Sequence, residues 1–244
     1  MIWNKVLNHC RENTQENNYH MEETKREELI ARLGDQDTMN LLEATRPFAE
    51  LMTQYECAIM EIETKLKVLN AEFSLAHSRN PFESIKTRLK SPMSILEKLR
   101  RKGFEICLEN IENKLFDIAG IRVICSFVED IYTLEKLLVN QDDIILVERK
   151  DYIASPKPNG YRSLHLILDI PIFLSKGKKH MKVEVQFRTI AMDFWASLEH
   201  KLKYKKDIEN AEEIALELKT CADTISAMDI QMEQIRKKIE GNHE

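Results

Sequence analysis

The sequence predicts an α+β fold: one mixed sheet of roughly five strands with helices packed on one side, and further helices at both ends. Three observations carry this. Along the chain, apolar steps of three and four give way to steps of two and then return. Gly and Pro number only six each in 244 residues, so long helices meet few breakers. An apolar fraction of 43% beside a charged fraction of 32% suits a chain that builds a core. It excludes collagen-like, low-complexity and disordered classes.

The elements follow in order. Residues 1–44 read as a polar extension, with a short helix over Glu22–Leu33 closed by Gly34. From Phe48 the apolar positions fall at 48, 51, 52, 55, 59, 62, 66, 69 and 73. That is one face of a helix of roughly eight turns, with Pro47 in its first turn. Its apolar face packs on a core or on a partner. Over Ile85–Lys90 the period becomes two. Ile85, Thr87 and Leu89 share one face, and Lys86, Arg88 and Lys90 the other. Ser91-Pro92 is an N-cap followed by proline at the first helical position, and this helix runs to about Gly103. A strand over Gly120–Phe127, a helix over Glu129–Asn140 and a strand over Asp143–Lys150 come next. After a Pro-Gly loop, Arg162–Ile170 and Met181–Arg188 are two more strands, and a helix runs from Ile190 to about Lys205. Residues 45–206 thus form the main body. In the segment 207–244, Ala211, Ile214, Leu218, Cys221, Ile225, Met228, Met232, Ile235 and Ile239 alternate steps of three and four. This heptad seam packs either on its own domain or against another subunit.

Charge and cysteine content narrow the function classes. Thirty-six Lys and Arg against forty-one Asp and Glu leave a net charge of −5, which argues against a general coat for nucleic acid or anionic membrane. No segment approaches the ~20 apolar residues that span a bilayer, and the N-terminus lacks the apolar core of a signal peptide. A cytoplasmic location is expected. The five cysteines, at 10, 57, 107, 125 and 221, form no Cys-x-x-Cys pair and read as reduced thiols.

Four constellations carry chemistry. Between Lys86 and Lys102 stand seven cations (Lys86, Arg88, Lys90, Lys98, Arg100, Arg101, Lys102) and one acid, Glu97. Such a run is usually a solvated face. Here strand cations lead into Lys98, Arg101 and Lys102 on one helix face, which suits a polyphosphate. The loop Tyr152–His165 contains Pro158-Asn159-Gly160, a tight turn, and no P-loop occurs anywhere in the chain. It is either an ordinary connection or a site in which Tyr161 stacks on a base and Lys157 meets phosphate. On the strand Met181–Arg188, the residues Met181, Val183, Val185 and Phe187 face the core. Glu184, Gln186 and Arg188 then share the opposite face with Ser163 and His165 if the two strands pair. That face is a solvated surface or a catalytic floor. Last, Asp117 stands just ahead of a strand, where acids usually cap turns. Together with Glu184 it could hold a hard divalent cation, since Mg²⁺ takes one or two carboxylates plus substrate phosphates.

In this order the elements resemble the synthetase domain of the RelA/SpoT family, and within it the small alarmone synthetases of the RelQ type. The matching residues are Arg88-x-Lys90 with Ser94-Ile-Leu-Glu-Lys98-x-Arg100-Arg101, then Asp117-Ile-Ala-Gly-Ile-Arg122. They continue with Tyr152-x4-Lys157-x2-Gly160-Tyr161-Arg-Ser163-x-His165, Val183-Glu184-Val-Gln186-Phe-Arg188-Thr189, and Met192-Asp-Phe194-Trp195-Ala-x2-Glu199-His200. The match covers roughly residues 45 to 235. Lys150 stands where relatives often carry Arg, and Phe187 where Ile is commoner.

The resemblance implies a nucleotidyltransferase-like synthetase domain. Its reaction is transfer of the β,γ-pyrophosphate of ATP to the 3′-hydroxyl of GDP or GTP, giving AMP and the alarmones ppGpp or pppGpp. By the same resemblance Arg88, Lys90, Lys98 and Arg101 grip ATP with Arg122 in support. Asp117 and Glu184 bind Mg²⁺, and Glu184 is the base for the 3′-hydroxyl. Tyr161 stacks on guanine, Lys157 and His165 meet acceptor phosphates, and Lys150, Gln186 and Glu199 complete the acceptor side. It further implies a homotetramer, and a nucleotide effector is compatible with it. None of the seven histidines precedes Asp, so the hydrolase activity of the long bifunctional relatives is not expected. Two other readings stay open: toxin-like transfer of pyrophosphate to the 3′ end of tRNA, and a non-catalytic regulator that binds nucleotide or RNA.

Overall fold

The computed structural model describes residues 36–76, 79–203 and 211–241. The helix expected over Glu22–Leu33 lies outside these residues. Five strands form one mixed sheet: β1 (Phe82–Leu89), β2 (Ala119–Cys125), β3 (Ile145–Asp151), β4 (Leu164–Leu174) and β5 (Gly177–Thr189), in the order β1-β2-β5-β4-β3. Only the β2/β5 pair is parallel. The expected mixed sheet is thus present.

Alternation decides which face is covered. Ile121 and Val123 of β2, Val183, Val185 and Phe187 of β5, and Leu164, Leu166 and Leu168 of β4 all point to one side and are buried. Helix α1 (Gln36–Ala76) lays Tyr55, Ile59, Ile62 and Leu66 on that side, beside Ile131, Leu134 and Leu138 of α4 (Val128–Val139). The apolar side chains of these helices remove the face from water, and the opposite face keeps its polar residues. Two short helices lie between β1 and β2. These are α2 (Pro92–Arg101), capped by Ser91 as expected, and α3 (Leu108–Lys114). The Ser91 hydroxyl accepts from the Ser94 amide at 3.3 Å, and Gly103, at φ 70°, follows the last turn in the left-handed region. α5 (Ile190–Lys203) continues β5, and α6 (Ala211–Glu240) closes the described chain.

Two expectations need correction. α1 begins at Gln36, so Pro47 sits inside it and not in its first turn. A proline there removes one i→i−4 bond, and the helix continues on both sides of it. α3 was not anticipated from the sequence. It is seven residues long and buries only Ile111, too little to make a period visible.

Candidate active site

Register builds the site. The pairings place Lys86 beside Arg122, Arg122 beside Gln186, Gln186 beside His165 and His165 beside Lys150. One rung across all five strands, on the uncovered face, therefore carries five of these polar side chains. The next rung runs from Arg88 through Gly120 to Glu184. Gly120 has no side chain, so the floor between Arg88 and Glu184 stays open.

Glu184 is fixed on both oxygens. His165 Nδ1 lies 3.3 Å from Oε1, and Gln186 Nε2 donates to Oε2 at 2.9 Å. Burial pushes its carboxyl up, but the hydrogen bond and charge of His165 and the bond from Gln186 outweigh this and hold it below the usual range. The other nitrogen of His165, Nε2, is 2.8 Å from the Tyr161 hydroxyl, which accepts from Arg188 Nη2 at 2.8 Å. Tyr161 is therefore joined to Glu184 through one imidazole. Lys157 sits with its ammonium over the rings of Tyr152 and Tyr161, at 4.6 and 4.7 Å from their centroids. The loop that carries Lys157 and Tyr161 is tied at its start by Asp151, whose Oδ1 accepts the amides of Ile153 and Ala154 at 3.0 Å. At its end Ser163 donates to the Phe187 carbonyl at 3.0 Å. Ser163 is thus buried as a loop anchor, not displayed on the polar face as expected.

Across the sheet, Asp117 receives Lys90 at 2.8 Å and Lys98 at 2.6 Å, both on Oδ2. Lys90 is held at that spot because its amide extends the β1 pairing, donating to the Ile118 carbonyl at 2.8 Å. Burial raises the Asp117 carboxyl, and the two ammonium groups more than reverse this, so its pKa is lowered. Oδ1 is buried and has no hydrogen-bond partner. A buried carboxylate oxygen without a donor is the arrangement a cation would satisfy, and Asp117 and Glu184 feel each other's charge. Among the described residues no three His, Cys, Asp or Glu side chains converge. A cation here would complete its shell with substrate phosphates and water, as Mg²⁺ commonly does. The residues present therefore fit Mg²⁺.

Arg88, in register with Gly120 and Glu184, is exposed, and so is Arg101, three residues after Lys98 on α2. Arg122 donates to Asp193 Oδ1 at 3.2 Å, and Glu199 accepts from Asn159 at 3.2 Å, so Glu199 acts on the loop. Lys150 reaches Glu148 at 2.8 Å, which raises its pKa. Two residues were not singled out from the sequence as site residues. Asp193 gathers Arg122, Arg188 and Lys86, and Asn159 receives the Tyr161 amide at 3.2 Å. Asp193 lies in the first turn of α5, where an acid usually signals only a cap. Its position after the strand of Glu184 was the available signal.

Residues 87–209 match the family model for the region found in RelA/SpoT proteins. Over 186 residues the chain is 45% identical to the GTP pyrophosphokinase YwaC of Bacillus subtilis, spanning 76% of this chain and 89% of that protein. A crystal structure of the B. subtilis small alarmone synthetase 1 bound to its product pppGpp superposes with a TM-score of 0.73 at 38% identity, over 80% of this chain and 98% of that one. The same synthetase bound to AMPCPP superposes with a TM-score of 0.68 at 34% identity, over 80% and 99%.

Proposed function

This chain belongs to the RelA/SpoT family, and from that premise we propose how it works as a GTP pyrophosphokinase. The reaction moves the β,γ-pyrophosphate of ATP to the 3′-hydroxyl of GDP or GTP, leaving AMP and forming ppGpp or pppGpp. The observation that carries the site assignment is the linkage of Tyr161 to Glu184 through His165 on an open sheet face rimmed by cations. Tyr161 offers the guanine a ring, Lys157 and Lys150 bring positive charge for the acceptor phosphates, and His165 belongs to the same side through its contact with the Tyr161 hydroxyl. Gln186 and Glu199 hold the partners of these groups in place. Arg88, Lys90, Lys98 and Arg101 take the ATP phosphates, with Arg122 behind them.

Two polyphosphates repel each other, so the protein must first neutralise charge and then align the hydroxyl with the β-phosphorus. Glu184, ionised and oriented on both oxygens, is placed to accept the 3′-hydroxyl proton. Asp117 and Glu184 would hold Mg²⁺, which when bound supplies charge neutralisation at the phosphates. A cytoplasmic location goes with this reading, because its substrates are free ATP and guanine nucleotide. Among the described residues no helix is long and apolar enough to cross a membrane. Residues 45–206 are taken as the catalytic body and 207–244 as a segment for self-association, with a tetramer as the expected state.

The test is to incubate the protein with ATP labelled in the β,γ-phosphates, Mg²⁺ and, in turn, GDP, GTP, GMP and tRNA. Label on GDP and GTP with release of AMP, abolished by chelation of the metal, is the expected result. Label on tRNA alone, or none at all, overturns the proposal.

A further inference from the structure

The C-terminal helix lies against the loop that presents Tyr161, yet the reaction as described gives it no part. Leu218, Ala222 and Ile225 of α6 pack with Trp195, Ala196 and Tyr161. The Trp195 indole donates to the Leu218 carbonyl at 2.9 Å. Arg162, next to Tyr161, donates to the Gly160 carbonyl at 3.2 Å and to Asp223 Oδ1 at 3.3 Å. Gly160 itself is flush with the helix: a Cβ there would stand 2.5 Å from the Ala222 Cβ, and its φ is +87°. Glycine is thus required for both backbone conformation and clearance. From α5, Glu199 holds Asn159.

The turn that carries Tyr161 is therefore held by both α5 and α6. The helix has its own anchors further along. Thr189 donates to Asp229 at 2.5 Å, and Arg236 reaches Glu129 on α4 at 2.5 Å. The contacts of α6 described above all go to the Tyr161 loop, α4, α5 and the end of β5, and none goes to the ATP side of β1, α2 and Asp117.

We infer that α6 is the back wall of the acceptor site, with Ala222 and Asp223 as positioning residues for Tyr161. Recognition of the guanine nucleotide then depends on a helix that does not touch it. This rests on the reading of Tyr161 as the guanine platform. A ligand's apparent affinity falls with the fraction of protein in the competent conformation. Releasing the loop from its wall therefore weakens the acceptor and spares the donor.

The experiment compares Ala222→Leu, Asp223→Ala, Asp223→Glu and Tyr161→Ala with the parent enzyme. It measures KM for GDP and for ATP, kcat, thermal melting, and hydrogen exchange in the segment 152–163. Ala222→Leu places a branched side chain at the closest approach to Gly160. If it leaves about a tenth of the loops in place, KM for GDP rises about tenfold, with KM for ATP unchanged and faster loop exchange. Asp223→Ala, on the exposed side of the contact, gives a smaller shift of the same kind without risk to the fold, and Asp223→Glu restores it. Unchanged exchange and unchanged KM for GDP in folded variants overturn the wall. Equal rises for GDP and ATP overturn it as well, since the effect would then be general. Faster loop exchange with KM for GDP unchanged, in these variants and in Tyr161→Ala, removes Tyr161 from guanine recognition. That outcome overturns the acceptor-site reading, and with it the role given to α6.

Discussion

Arg188 is only 5% exposed, and its guanidinium donates to Asp193, Tyr161 and Gln186. A buried cation persists only when a carboxylate and further acceptors surround it. Asp193 supplies the charge, and the other two bonds are turned to use. One runs through Tyr161 and His165 to Glu184 Oε1, and the other through Gln186 to Oε2. The orientation of Glu184 is thus set from the buried Arg188–Asp193 pair through groups of the acceptor side. Glu184→Gln keeps size and removes charge and basicity. If Glu184 takes the 3′-hydroxyl proton, pyrophosphate transfer falls by at least ~10²-fold, the lower end for a general base. Nucleotide binding, measured by calorimetry, falls less, because Arg88, Lys90, Lys98 and Arg101 remain. Melting falls modestly, because Gln lacks the charge that His165 and Gln186 hold while the apolar core is untouched. Near-normal turnover in a folded variant would take Glu184 out of the mechanism and make His165 the next candidate.

At the level of elements, the junction of β5, α5 and α6 turns on Thr189. Its hydroxyl accepts the Met192 amide at 3.1 Å, capping α5, and donates to Asp229 of α6 at 2.5 Å. Burial raises the Asp229 pKa above 3.8, the Thr189 hydrogen bond opposes this, and Glu233 adds to the rise. A carboxyl raised on folding stabilises most when both states are protonated, below the unfolded value, and loses that stability as pH climbs through its folded value. Asp229→Asn keeps an acceptor for Thr189 without the charge. It should raise the melting temperature at pH 7, with the gain disappearing near pH 4, and an equal gain at both pH values would contradict the assignment. The same junction shows where sequence reading succeeds and stops. Alternation put Glu184, Gln186 and His165 on one face, because period two needs no tertiary information. It did not reveal that Lys86, Arg122, Gln186, His165 and Lys150 share one rung, because register depends on which strands pair. Nor did it show Ser163 as an anchor, since the backbone leaves regular strand geometry just before Leu164. The role of Asp193 was hidden because two of its three cations, Lys86 on β1 and Arg122 on β2, are distant in sequence, and only Arg188 is near it along the chain.

Over the whole molecule, the heptad pattern of α6 serves two surfaces. Leu218 and Ile225 of the expected seam turn inward to Trp195, joined by Ala222, while Asp229 is buried beside them. Met228 and Met232 are 60% and 56% exposed, and Ile235 and Ile239 also face outward, one to two turns apart. α5 adds a second exposed row, Ile190, Phe194, Leu198 and Leu202, at steps of four. Scattered apolar residues on a surface need no explanation, but aligned rows on two consecutive helices are the pattern of an interface. On the proposed self-association, this division separates assembly from folding. Met228→Asp with Met232→Asp places charge on the outward row only, and light scattering should show a smaller species whose melting is little changed. Ile225→Asp instead puts a charge at the partly buried edge of the cluster around Trp195, where it loses apolar contact and part of its hydration. It should lower the melting temperature and disturb the wall behind Gly160, so that KM for GDP rises even where assembly survives. A parent protein that is monomeric at all concentrations tested would remove the interface, and the outward rows would then have to be explained by some other partner of the helix pair.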